Sequence, residues 1–370
     1  MRLKILVVSK FYPPVIGGVE VTVKELCEEY VRKGQEVTAV VMTKGDFEDR
    51  TVNGVRVLRF PSDRLLLGGF NRGVLSFMKE TLRPEEYDIV HVHNFHILLS
   101  FQSAMMCALR DMPYVFSPHY HGKGHTVARD MLFQGYRRLG RIGLSRAQAV
   151  TCASEYEKGK LLKDFPDLRE KAVVISPGIT ERRKSSRERD VDSLLFVGRL
   201  MRYKGLDHAF LAMKVLKERG RRVRLRVVGT GPDEPELRRL ASELQLEGQV
   251  EFLGEVGEDV LTEEYALASC LLLLSSAEAY GLVVAEALAS GTPCIVAKAG
   301  ALTEFTLEPG CLGVDYPPKP EDVADAIMSV LDRGPSLKVG PFSQKISYWP
   351  EVAARYLQLY ESVLKARRSS

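Results

Sequence analysis

Apolar residues in this chain come in short runs, separated by stretches with helical spacing. Lys4–Ser9, Glu36–Met42, Val55–Arg59, Asp88–His93, Tyr114–Ser117, Ala149–Cys152 and Val173–Ile175 read as strands. Glu20–Lys33, Ser100–Arg110 and Arg129–Ser145 read as helices between them. Strands this short and apolar, alternating with helices, predict a parallel sheet covered on both faces. A charge-dense stretch, Thr180–Asp192 (TERRKSSRERDVD), has no apolar period and reads as a linker. The pattern then restarts with Ser193–Arg199, a helix over Leu206–Arg219, a strand over Arg224–Gly229, a helix over Pro235–Leu244 and a strand over Val250–Gly254. A helix near Leu261–Ala268 precedes a strand–turn–helix–strand unit, CLLLLSSAEAYGLVVAEALASGTPCIVA (270–297). The last segment, ISYWPEVAARYLQLYESVLKA (346–366), reads as a helix able to pack back on the first half.

The expected architecture is therefore α/β with two Rossmann-like parallel-sheet domains. The first spans 1–178 and is completed by the C-terminal helix, 346–370; the linker is 179–192 and the second domain 193–345. In open sheets of this kind ligands bind beyond the carboxyl ends of the strands. Two such domains are expected to face one another across a cleft, with a donor on one side and an acceptor on the other.

Composition narrows the field. At 370 residues the chain suits two domains of ordinary size, and 45% apolar with 27% charged residues is usual for a soluble globular protein. With 52 basic and 48 acidic residues the net charge is +4, which is no nucleic-acid signature. The cysteines at 27, 107, 152, 270, 294 and 311 form no CxxC and read as reduced core residues of a cytoplasmic protein. The apolar run Ile5–Val8 is strand length rather than a secretory segment, and no run approaches the ~20 residues that span a bilayer. Two stretches, 64–83 and 136–146, mix cations with large apolar residues. They could make a peripheral contact with the inner face of an anionic membrane, or cover their own core with snorkelling cations; the second reading is the simpler.

The 270–297 unit carries the densest chemistry. Glu278 lies in the turn after Leu271–Leu274, and Glu286 lies about one turn into the helix opened by Gly281. A strand feeding a helix leaves backbone N–H groups near Tyr280, Gly281, Leu282 and Val283 pointing where phosphate can sit. Two carboxylates beside an anion site suit a ligand that also carries hydroxyls, because carboxylates accept strongly from O–H donors. A sugar nucleotide offers a diphosphate for the helix start and hydroxyls for the acids.

Other strand ends add to this. Arg199 and Lys204, after Ser193–Val197, match the growing negative charge of a leaving diphosphate. Gly17 and Gly18, in PPVIGGVE, would let the backbone approach a phosphate or sugar, although a tight turn explains them equally well. SPHYHG (117–122) places His119 and His121 at a strand end, where either could hold a sugar hydroxyl. His91, His93 and His96 end another strand; the spacing invites a metal, but no carboxylate or cysteine completes a set, and cleft-lining polar residues are the simpler account. Asp190 and Asp192 form a DxD that precedes a strand instead of following one, so it reads as coincidence and no metal is expected.

Together these segments resemble the retaining GT-B glycosyltransferases of family 4. Glu278 and Glu286 match that family's E-x7-E motif, GRLMRYKGLD its G-R-x4-K-G segment, PPVIGGVE its glycine turn and SPHYHG its strand-end histidine. YWPEVAARYLQLYESVL is similar to its closing helix. The resemblance implies Arg199 and Lys204 on the diphosphate, Glu286 on the ribose and Glu278 on the donor sugar. It also implies His119 or His121 at the reacting centre. It implies no cofactor, a nucleotide-sugar donor of the UDP or GDP type, and an acceptor hydroxyl on a glycan, a lipid-linked species or a small molecule. A sugar-nucleotide epimerase and a non-catalytic nucleotide-sugar-binding protein are the rival readings.

Overall fold

The computed structural model describes residues 2–15, 17–62, 70–120, 137–138, 140–181, 190–334, 339–343 and 345–368. The chain divides into two compact units, Met1–Gly178 with Ser347–Ser370, and Ile179–Ile346.

In the first unit β1 (Lys4–Val8), β2 (Glu36–Thr43), β3 (Glu48–Val52), β4 (Val55–Pro61), β5 (Ile89–His93), β6 (Tyr114–Ser117), β7 (Ala149–Cys152) and β8 (Ala172–Val174) form one sheet. Among the described residues its order is β3-β4-β2-β1-β5-β6-β7-β8, with every neighbouring pair parallel except β3 and β4. The sheet is sandwiched, so residues of β1 alternate between two cores. Leu6 and Val8 join one with α2 (Arg72–Thr81), α3 (Leu98–Leu109) and α4 (Glu155–Asp164). Ile5 and Val7 join the other with α1 (Gly18–Arg32). The antiparallel β3 was not expected. Its sequence, EDRTV, is mostly exposed and has no apolar period, and it forms by hairpin pairing along the sheet edge.

The second unit holds β9 (Ser193–Val197), α5 (Leu206–Glu218), β10 (Arg224–Val228), α6 (Glu234–Glu243), β11 (Val250–Gly254), α7 (Glu258–Leu267) and β12 (Cys270–Leu273). It continues with α8 (Leu282–Ala289), β13 (Cys294–Ala297), α9 (Leu302–Phe305), β14 (Cys311–Val314) and α10 (Pro320–Arg333). Its strands are all parallel in the order β11-β10-β9-β12-β13-β14. Counted within the unit this is 3-2-1-4-5-6, the doubly wound order in which the chain reverses direction between β9 and β12.

The C-terminal helix α11 (Trp349–Arg368) belongs to the first unit. Val352, Ala353, Tyr356, Tyr360 and Val363 form its apolar stripe and join the core that contains α1. At its start Trp349 covers Gly178, where an added Cβ would lie 2.7 Å from the indole and 2.8 Å from the Trp349 Cα. The six cysteines are all free and buried. Among the described residues no helix is long and apolar enough to cross a membrane. The basic stretches at 64–83 and 136–146 fall partly outside the described residues; within them Val74, Met78 and Leu144 are core residues.

Candidate active site

The point of reversal between β9 and β12 gathers most of the second unit's expected site. The strands run parallel with Cys270 beside Leu194 and Leu271 beside Leu195. Carried past both strand ends, that register brings the segment from Arg199 alongside the one from Ser275. Two close approaches lock them together. Gly205 has a φ of 74°, and a Cβ there would lie 2.3 Å from the Leu274 carbonyl oxygen, so only glycine fits. The Ser276 amide donates to the Tyr203 carbonyl at 2.9 Å.

This places Lys204 Nζ 2.6 Å from Glu278 Oε1. Both side chains are largely buried, each 15% exposed. Ser275 Oγ donates to the same carboxylate oxygen at 2.8 Å, and the Glu278 carbonyl accepts from the Ala301 amide at 3.1 Å. Burial works against the charge on Lys204, but the Glu278 carboxylate and Tyr203 outweigh it, and its pKa is raised above the usual lysine value. The lysine and glutamate that the sequence assigns to different parts of one ligand are thus an ion pair. Arg199 is exposed and has no ion pair or side-chain hydrogen bond among the described residues.

Beyond Glu278 the chain turns into α8 at Gly281, whose φ is 113°. Tyr280 is buried there, with its hydroxyl donating to the Lys345 carbonyl at 2.7 Å and its ring against Phe305. The first amides taken up by the helix are those of Val284 and Ala285, both on the Gly281 carbonyl. Those of Leu282 and Val283 precede them at the positive end of the helix. Glu286 is half-buried one turn on, and Tyr265 of α7 donates its hydroxyl to Glu286 Oε2 at 2.7 Å. Sequence reasoning passed over Ser275 and Tyr265. Ser275 stands inside the motif and could have been found; Tyr265 is 21 residues upstream in a helix that reads only as core.

Asp190 and Asp192 lie at the opposite, amino end of β9. They pair with Arg224 and Arg221, the latter at 2.7 Å. Among the described residues no group of three or more His, Cys, Asp or Glu side chains is arranged to hold a metal.

In the first unit His119 follows β6 with a φ of 49°. Its Nε2 lies 3.2 Å from Nδ1 of His93, and the two rings stack with centroids 5.5 Å apart. His91, on β5 with His93, bonds through Nε2 to Ser117 Oγ and through Nδ1 to the Tyr360 hydroxyl, both at 2.7 Å. Burial, then the charge of His119, lowers the pKa of His91 to about 3. Burial, then His91 and His119, holds His93 well below the ordinary histidine value. Gly17 is extended and caps α1, with the Glu20 carboxylate folded over it; nothing crowds Gly18. The left-handed conformation that glycine uniquely supplies is not used at Gly17. His121 lies outside the described residues.

The model for glycosyl transferases group 1 matches residues 179–339, and that for glycosyltransferase family 4 matches 16–183. The D-inositol 3-phosphate glycosyltransferase of Xylanimonas cellulosilytica is 30% identical, with the alignment covering 95% of this chain and 93% of that one. The chain is a group 1 glycosyltransferase. Solved structures agree on the GT-B fold. Sucrose-phosphate synthase from Thermosynechococcus elongatus superposes with a TM-score of 0.80 at 20% identity over 99% of this chain and 100% of that one. Anabaena HepE in complex with UDP-glucose superposes at 0.71 with 18% identity over the whole of both chains. Within this glycosyltransferase the group 1 region holds Arg199, Lys204, Glu278 and Glu286, while the family 4 region holds Gly17, Gly18, His93 and His119.

Proposed function

We propose that this glycosyltransferase moves a sugar from a nucleotide-diphosphate sugar to a hydroxyl acceptor, with retention at the anomeric carbon and without a metal ion. The observation that carries the reading is the meeting of Lys204, Glu278 and the α8 start at the reversal point of the second sheet. Cation and helix amides suit a diphosphate, and carboxylates suit sugar and ribose hydroxyls. The UDP-glucose held by a solved structure of the same fold supports that ligand class, with GDP sugars the other candidates. Arg199 and Lys204 meet the charge that grows on the leaving phosphate, Glu278 orients the sugar, Glu286 binds the ribose and His119 serves the transfer step.

In the reaction the bond from the anomeric carbon to the phosphate oxygen breaks and a bond to the acceptor oxygen forms on the same face. The acceptor proton passes to the departing phosphate, so no protein nucleophile is needed. The acceptor is a hydroxyl of a glycan, a lipid-linked species or a small molecule. A polyol such as that named in the D-inositol 3-phosphate relative is the first to try.

A thermal-shift panel of nucleotide sugars tests the donor class. A true donor raises the melting temperature by mass action, by about 2.7 kcal/mol of stabilisation at a hundred times its dissociation constant. The same panel incubated without acceptor should leave each sugar unchanged. No shift with any nucleotide sugar removes the reading, and conversion of a bound sugar without acceptor makes the protein an epimerase.

A further inference from the structure

The left-handed turn at His119 is held by a carboxylate from another part of the chain. Glu157, in the first turn of α4, is 1% exposed, and among the described residues no cation pairs with it. A glutamate three residues after a serine cap ordinarily reaches back to the amide of the cap itself. Ser154 is such a cap, accepting from the Glu157 amide at 3.1 Å. The Glu157 carboxylate nevertheless reaches elsewhere. Oε2 accepts from the amide of Ala153, just past β7, at 2.7 Å. Oε1 accepts from the amide of Tyr120, just past β6, at 2.6 Å. One acid therefore ties together the carboxyl ends of two adjacent strands.

Tyr120 is held at its other end by the same helix, since its hydroxyl donates to Asp164. Its ring is boxed by Phe95 and Phe165, with centroids 5.4 and 5.7 Å away. His119 stands immediately before this fixed residue, in a backbone region that side chains enter only when their surroundings hold them there. We propose that Glu157 is a positioning residue for His119: by taking the Tyr120 amide it sets the turn that aims the His119 ring at His93. Among the described residues this buried carboxylate has no ion pair to offset its desolvation, so the two strand-end amides are the contacts that hold it, and it in turn holds them. The proposal rests on the transferase reading for its kinetic consequence and on geometry alone for its structural one.

The test uses the full chain as wild type, Glu157→Gln, Glu157→Ala, Ser154→Ala and His119→Gln. The readouts are the imidazole NMR signals of His119, assigned with His119→Gln, together with donor affinity and kcat. Glutamine keeps the shape but turns an amino group toward one of the two amides. Glu157→Gln should stay folded, shift the His119 signals and keep donor affinity within about threefold, while kcat falls on the order of tenfold to a hundredfold, the scale of a misplaced catalytic group. Glu157→Ala should do the same or more. Ser154→Ala weakens the same helix without touching either amide, so it should lower the melting temperature and spare kcat. Unmoved His119 signals with wild-type kcat in Glu157→Gln would overturn the proposal. So would losses that merely follow the stability loss of Ser154→Ala. Wild-type transfer by His119→Gln would instead overturn the role given to His119, and the NMR arm would still decide the clamp.

Discussion

Arg199 and Lys204 come from one strand end but stand in different surroundings, and their replacements should separate. Arg199 is exposed and unpaired among the described residues, so Arg199→Ala should leave the melting temperature alone. If it meets charge that develops only as the glycosidic bond breaks, kcat at saturating donor should fall about a hundredfold. Lys204→Ala should lower kcat and also destabilise the fold by roughly 1–3 kcal/mol, because Glu278 stays largely buried without its cation. Calorimetric melting beside steady-state assays separates the two effects; equal melting losses would contradict the geometry. Glu286 is held by the Tyr265 hydroxyl, so its aim depends on a neighbour. Glu286→Ala should weaken donor binding about tenfold or more, the loss of a charged hydrogen bond. Tyr265→Phe should weaken it less. Undiminished donor affinity in Glu286→Ala would remove the ribose assignment.

The packing of the first unit makes two further expectations. Gly178 must be small because the Trp349 backbone of α11 presses on it. Gly178→Ala should cost about 1–3 kcal/mol in chemical denaturation, the penalty of overpacking, by lifting the helix start. The second concerns pH. His91 is neutral in the fold, with a pKa near 3 against 6.5 in the unfolded chain, so stability is lost as pH falls below 6.5. Glu157 has the opposite sign. Burial pushes its carboxyl up to about 7, against the two amide bonds that lower it, so the folded state holds a proton that the unfolded chain releases above 4.5. Its contribution grows as pH falls from 7 to 4.5. Glu157→Gln should therefore lose stability more steeply than wild type on acidification through that window, with a slope difference of at most about 1.4 kcal/mol per pH unit. Parallel curves would contradict the burial argument. Strands with continuous apolar runs, such as Ile5–Val8 and Leu271–Leu273, were legible because both faces are covered. Helix α4 was not: EYEKGKLLKD is mostly charged and buries only Glu157 and Leu161, so periodicity had almost nothing to register.

Across the whole chain, the arrangement of the candidate site was legible where one segment contained it and hidden where the fold assembled it. Glu278, Gly281 and Glu286 sit in one strand–turn–helix unit, and the turn at Gly281 is as its position suggested. The Lys204–Glu278 pair spans 74 positions and follows only from the 3-2-1-4-5-6 strand order, which no local pattern announces. The His91–Ser117 and His91–Tyr360 bonds join β5, β6 and α11 and were equally out of reach of spacing arguments. Asp190 and Asp192 are paired with arginines at the far end of β9, away from Lys204 and the start of α8, so the proposed transfer assigns them no metal. The most direct measurement is proton NMR of the transfer reaction, run in excess EDTA with an α-linked donor identified by the binding panel. The account predicts that the first glycoside formed carries the α configuration and that its rate is unchanged by chelator. A β product, or transfer abolished by EDTA and restored by Mg²⁺ or Mn²⁺, would contradict it.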